Sequence, residues 1–205
     1  MQMIETEARM PTLRRVRAAR RVFQRREGRA LFYRAATELL ALIRRGPSSV
    51  TVAEALAVLL QTWNSAAYQY DHAEREHLRR ITRLLTAHAA VLNAFTERAL
   101  ETLGEGDIAA IVKLFNDFDL AVGPVGAAKC LHLLAPRFFP LWDRAIACAY
   151  RVRLKHRGEN ADRYIHFMEM CRTQVQRLGG ERRMGQNVLK ALDEYNYCVF
   201  TKRWM

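Results

Sequence analysis

The sequence predicts an all-α fold, and three observations carry that expectation. Ala, Leu, Arg, Glu and Gln recur at three- and four-residue spacing along most of the chain. No period-two alternation is long enough to support a sheet. The apolar runs are punctuated by Gly, Pro and small capping residues at helical intervals. With 205 residues, 50% hydrophobic and 26% charged, the chain suits one globular domain, 1–205, with a sizeable core.

The elements follow in order. "PTLRRVRAARRVFQRREGRALFYRAATELLALIRR" opens after Pro11, with Gly28 as its interruption, and stops at Gly46-Pro47, so residues 9–45 read as a basic arm or helix. Its first half carries Arg14, Arg15, Arg17, Arg20, Arg21, Arg25 and Arg26 with almost no acid. That is a phosphate-facing surface or a solvated one. In "GPSSVTVAEALAVLLQTWNSAAYQY" Ser48, Ser49 or Thr51 can cap. Glu54 stands three residues after Thr51, and Leu56, Leu59, Leu60 and Trp63 form a core stripe. "EREHLRRITRLLTAHAAVLNAFTERALETL" is helical until Gly104 and Gly106, after which Asp107 is placed to cap "IAAIVKLFNDFDLAV". The C-terminal third holds three further helices, separated at Gly158 and at "LGGERRMG".

The densest stretch is "GPVGAAKCLHLLAPRFFPLWDRAI", residues 123–146. Gly123 and Gly126 frame Pro124-Val125, so backbone can approach a ligand closely, and the helix that follows aims free N–H groups outward. That helix carries Lys129 and ends before Pro136, because the residue preceding proline avoids helical angles. "PRFFPLW" sends aromatics into the core, and Asp143 sits where "RAIACAYRVRLK" needs an N-cap. The paired carboxylates Asp117 and Asp119, two apart on a helix, point to different faces.

Charge and cysteine usage narrow the function. Lys plus Arg is 33 against 21 Asp plus Glu, a net +12, with arginine dominant. Arginine's planar fork suits phosphate oxygens, so nucleic acid is the expected partner. Cys130, Cys148, Cys171 and Cys198 lack zinc or iron–sulfur spacing and read as reduced thiols, so no metal and no cofactor is expected. There is no Walker loop, no H-E-x-x-H and no G-x-S-x-G. No apolar run approaches a membrane span, and "MQMIETEARM" lacks the apolar core of a secretion signal; a cytoplasmic monomer is the expectation.

With those residues in view, the chain resembles the helix-hairpin-helix superfamily of DNA glycosylases. In "VGPVGAAK" the hairpin and the lysine of the bifunctional members are matched, and "LWDRAI" is similar to the step that carries the family's essential aspartate. "ALAVLLQTWNSAAYQY" is similar to the family's pocket-lining helix. The resemblance implies two helical lobes around a groove, with a lobe at 107–150 carrying the hairpin, and base excision from duplex DNA. It implies Asp143 as the principal carboxylate and Lys129 as the nucleophile of an associated lyase. Gln61, Trp63, Asn64 and Trp142 would line the base pocket or wedge the duplex, with Tyr68, Tyr70, Phe138 and Phe139 as further stacking surfaces. Gly123, Val125, Gly126, Arg14, Arg17 and Arg21 would hold phosphates. The competing expectation is a non-catalytic nucleic-acid-binding or regulatory helical protein on the same scaffold.

Overall fold

The computed structural model describes residues 10–63, 74–185 and 187–205, and within them every regular element is helical. Helix α1 (Leu13–Arg26) starts where the Thr12 hydroxyl accepts the Arg15 N–H at 3.3 Å. A break at 27–29 leads into α2 (Ala30–Arg45), which ends at Gly46. Helix α3 (Val52–Trp63) opens with a reciprocal capping box: the Glu54 N–H donates to Thr51 Oγ1, and the Thr51 N–H donates to Glu54 Oε2 at 2.7 Å. Then come α4 (Glu74–Ala87), α5 (Ala89–Thr96) and two short 3₁₀ turns. Asp107 departs from its expected role. Its carboxylate makes a two-point contact with Arg98, at 2.8 and 2.7 Å, and accepts the Gly104 N–H, so it closes the preceding turn and makes no hydrogen bond into the helix it precedes.

Helix α6 (Ile108–Leu134) is the centre of the molecule and packs against α3, α4, α5 and the later α8. It is broken only at Gly123, whose φ of 74° and ψ of 165° leave the helical region. The sequence pattern suggested a turn of several residues between two helices; the backbone spends a single residue. The reason is Pro124, whose fixed φ suits the first position of a helix, so the coil resumes immediately. A short α7 (Arg144–Ala149) follows the aromatic connection, then α8 (Ala161–Leu178), α9 (Gly180–Met184), α10 (Val188–Asn196) and a π-helical turn (Tyr197–Thr201).

One connected apolar core runs through all of these helices. Phe115 stacks on Tyr164 at 4.1 Å between ring centres, and Trp142 stands edge-on to both. Phe95 stacks on Phe138 at 4.5 Å. Each such ring, fully buried, contributes roughly 2–3 kcal/mol from area alone. The last elements return to the first: α10 and the π turn pack on α1, so the two ends of the described chain meet. Among the described residues no helix is long and apolar enough to cross a membrane.

Candidate functional site

The break in α6, the N-terminus of α7, the α1–α2 joint and the π turn converge on a cavity of about 720 Å³. Lys129 and Asp143 both line it. Lys129 lies in the second half of α6, where Ala127, Ala128, Cys130 and Leu131 are buried around it, and it is itself only 9% exposed. Burial pushes its amine down to about 8, opposed by the negative charges of Asp193 and Asp143 and assisted by Arg29. The amine and the Asp143 carboxylate are therefore within electrostatic reach of one another.

Asp143 caps α7 as its position suggested: Oδ1 accepts the Ile146 N–H at 2.8 Å. Its second oxygen, Oδ2, accepts the Thr201 hydroxyl at 2.6 Å from the π turn. The carboxylate is thus fixed from two elements while half-buried at the cavity wall. Such turns of wider helix are often found where a protein shapes a site.

Two more acids border the same space and were not singled out from the sequence. Glu27, at the α1–α2 joint, takes the Tyr197 hydroxyl and the Arg29 backbone N–H and guanidinium. Burial works to raise its carboxyl, yet those donors outweigh burial and hold it below the usual carboxylate range. Asp193, on α10, pairs with Lys190 at 2.6 Å. The only local hint was acids inside the otherwise apolar run of "VLKALDEYNY". Recognising Glu27 required knowing that the first helix packs against the last.

The remaining candidates divide. Gly123, Val125 and Gly126 border the cavity. Trp142 forms part of the wall but is 1% exposed, and its indole N–H donates to the Pro124 carbonyl at 3.0 Å. Extracting it would forfeit about 2–3 kcal/mol of burial besides the hydrogen bond, so in this structure it braces the helix break and does not project as a wedge. Phe138 and Phe139 are wholly buried. Gln61 is exposed on α3 and does not border the cavity. Trp63 ends α3, and its side chain, with Asn64, Tyr68 and Tyr70, lies outside the described residues. Arg14, Arg17 and Arg21 share an exposed face of α1, away from the cavity lining, whereas Phe23 on the same helix reaches it.

His132, one turn beyond Lys129, is fully buried. Its ring sits between the Phe139 carbonyl (2.8 Å from Nδ1) and the Tyr33 hydroxyl (3.0 Å from Nε2). A neutral ring donating from Nδ1 and accepting at Nε2 satisfies both. Asp117, for its part, bonds His88 and Lys113, and Asp119 is buried against Asn160 and the Gly158 N–H. Cys130, Cys171 and Cys198 are buried free thiols, whereas Cys148 is exposed. Among the described residues no group of three His, Cys, Asp or Glu side chains could hold a metal ion. Comparison with known proteins finds no matching family model, curated protein or solved structure.

Proposed function

We propose that the protein is an N-glycosylase of the helix-hairpin-helix type, with two helical lobes facing a groove, that excises a base from DNA. The single observation that carries the reading is the meeting of Lys129 and Asp143 on one cavity large enough for an extruded nucleoside. Breaking the C1′–N bond builds positive charge on the sugar, and the fixed Asp143 carboxylate stabilises it. The neutral Lys129 amine attacks C1′. The C1′–N bond's electron pair leaves with the base, which takes up a proton, and Nζ loses a proton. The Nζ lone pair then expels O4′, so the C1′–O4′ bond breaks, O4′ takes up a proton as a hydroxyl, and the opened adduct is an imine.

Burial makes this amine available. Lowering its pKa from 10.5 to about 8 raises the neutral fraction at pH 7 by roughly 300-fold. Two acids near it bear on the same balance: Asp193 and Asp143 hold the proton on, so the amine stays only partly neutral at pH 7 and gains nucleophile as pH rises.

A panel of duplexes, each with one uracil, alkylated purine or oxidised purine, tests the proposal by base release. Release from at least one member is expected, lost by 10²-fold or more in Asp143→Asn. The single-turnover rate should climb from pH 6 and level above about 8. Binding without release from any member would favour the non-catalytic nucleic-acid-binding alternative.

A further inference from the structure

Three cations and a histidine in the cavity have no part in breaking a glycosidic bond. Arg144, Lys155, His156 and Arg157 line it, and none has an acidic partner within 4 Å among the described residues. The acids nearby are already engaged: Glu27 by Tyr197 and Arg29, Asp143 by Ile146 and Thr201, Asp193 by Lys190. Asp119, whose charge acts on Arg157, is engaged by Asn160 and the Gly158 N–H, so the balance of charge at this end of the cavity is positive.

The segment that bears Lys155, His156 and Arg157 is held by a buried device. Asn160 accepts the Lys155 N–H at 2.7 Å and donates to the His156 carbonyl and to Asp119 Oδ2, each at 2.8 Å. Asp119 Oδ2 also accepts the Gly158 N–H at 3.0 Å. Asp119 is wholly buried on α6, one turn before the Gly123 break, and its Oδ1 has no hydrogen-bond partner. Gly158 takes a left-handed φ of 83° and packs on Leu120, which lets the loop fold back tightly. Arg157 then lies over the break: its Nε is 3.7 Å from where a Cβ on Gly123 would stand. Burying an ionisable carboxylate is costly, so its use to pin a loop that carries Lys155, His156 and Arg157 calls for a ligand of opposite charge.

Resting on the glycosylase reading, we propose that Lys155, His156, Arg157 and Arg144 form a phosphate subsite for the ester carried by the sugar that Lys129 attacks, with Asp119 as its positioning residue. Several hydrogen-bond donors from two elements, three of them on cationic side chains, match a tetrahedral anion better than a planar carboxylate. The diester of a polynucleotide and the monoester of a free nucleotide share that chemistry.

Binding by the full-length protein at fixed ionic strength tests it with two probe pairs. One is a duplex with a tetrahydrofuran abasic analogue, against the same duplex with neutral methylphosphonate links flanking the analogue. The other is adenosine monophosphate against adenosine. The charged member of at least one pair should bind about tenfold more tightly, and which pair does so identifies the source of the phosphate. Lys155→Ala/Arg157→Ala should abolish that preference, while Arg79→Ala/Arg83→Ala on α4 leaves it. Asp119→Ala should reduce the preference without weakening the neutral probe, and Asp119→Asn, which keeps an oxygen acceptor, should restore most of it. Absence of a preference in both pairs, or its survival in the double variant, would overturn the subsite. Retained preference without base release would instead remove only the glycosylase reading, so the two failures are separable.

Discussion

At the scale of single residues, three side chains show how packing sets chemistry. His132 is buried neutral, and burial pushes its pKa down to about 4 from 6.5, partly resisted by the Phe139 carbonyl. As pH falls below about 6.5 the unfolded chain takes a proton that the folded chain refuses. Stability should then decline by roughly 3 kcal/mol between pH 6.5 and 4, and level off below. Urea titrations across that range check it, and His132→Gln should remove most of the slope. Asp143 ties two elements with one carboxylate, capping α7 and accepting from Thr201. Asp143→Ala should cost about 0.5–2 kcal/mol of stability through loss of the cap, more if the Thr201 tie matters, whereas Asp143→Asn should cost less. A stable but inactive Asp143→Asn would separate capping from chemistry. Lys129 is the third: the apolar side chains around it lower its pKa, while Asp143 and Asp193 keep that shift moderate.

Among the elements, α6 is the one whose geometry decides the site. Its break at Gly123 uses a φ of 74°, which a residue with a Cβ adopts only under strain. Gly123→Ala should therefore destabilise by about 1–3 kcal/mol, read as a lowered denaturation midpoint, and should shift Lys129 relative to Asp143. The space around the added methyl is not the obstacle, since the nearest atom, Arg157 Nε, is 3.7 Å away. Local signals made much of this architecture legible. The Thr51–Glu54 box, the stop at Gly46-Pro47, the Asp143 cap and the end of α6 before Pro136 all rest on chemistry within a few residues. What stayed hidden depends on distant packing. Glu27 and Tyr197 meet only because α1 lies against the end of the chain. The anchoring of 155–160 by Asp119 joins residues some forty positions apart, although Asp119 reads in sequence as an ordinary polar position. Trp142 likewise offered no local sign that its indole would be spent on the Pro124 carbonyl.

Across the whole molecule, charge and cavity stand in a definite relation. The net +12 includes an arginine stripe on the outer face of α1, and the same helix delivers Phe23 to the cavity. If that stripe holds backbone phosphates, Arg14→Ala/Arg17→Ala/Arg21→Ala should lower the slope of log K against log salt by up to about 3 for duplex DNA, with little change in stability. An unchanged slope would place the phosphate contacts elsewhere. The central claim, that Lys129 and Asp143 act together on a sugar carbon, is met most directly by borohydride trapping on a duplex with an abasic site, followed by peptide mass mapping. The account predicts a covalent adduct on Lys129 that forms faster toward pH 8 and disappears in Lys129→Ala. An adduct on another residue, or none under conditions where the duplex binds, would contradict it.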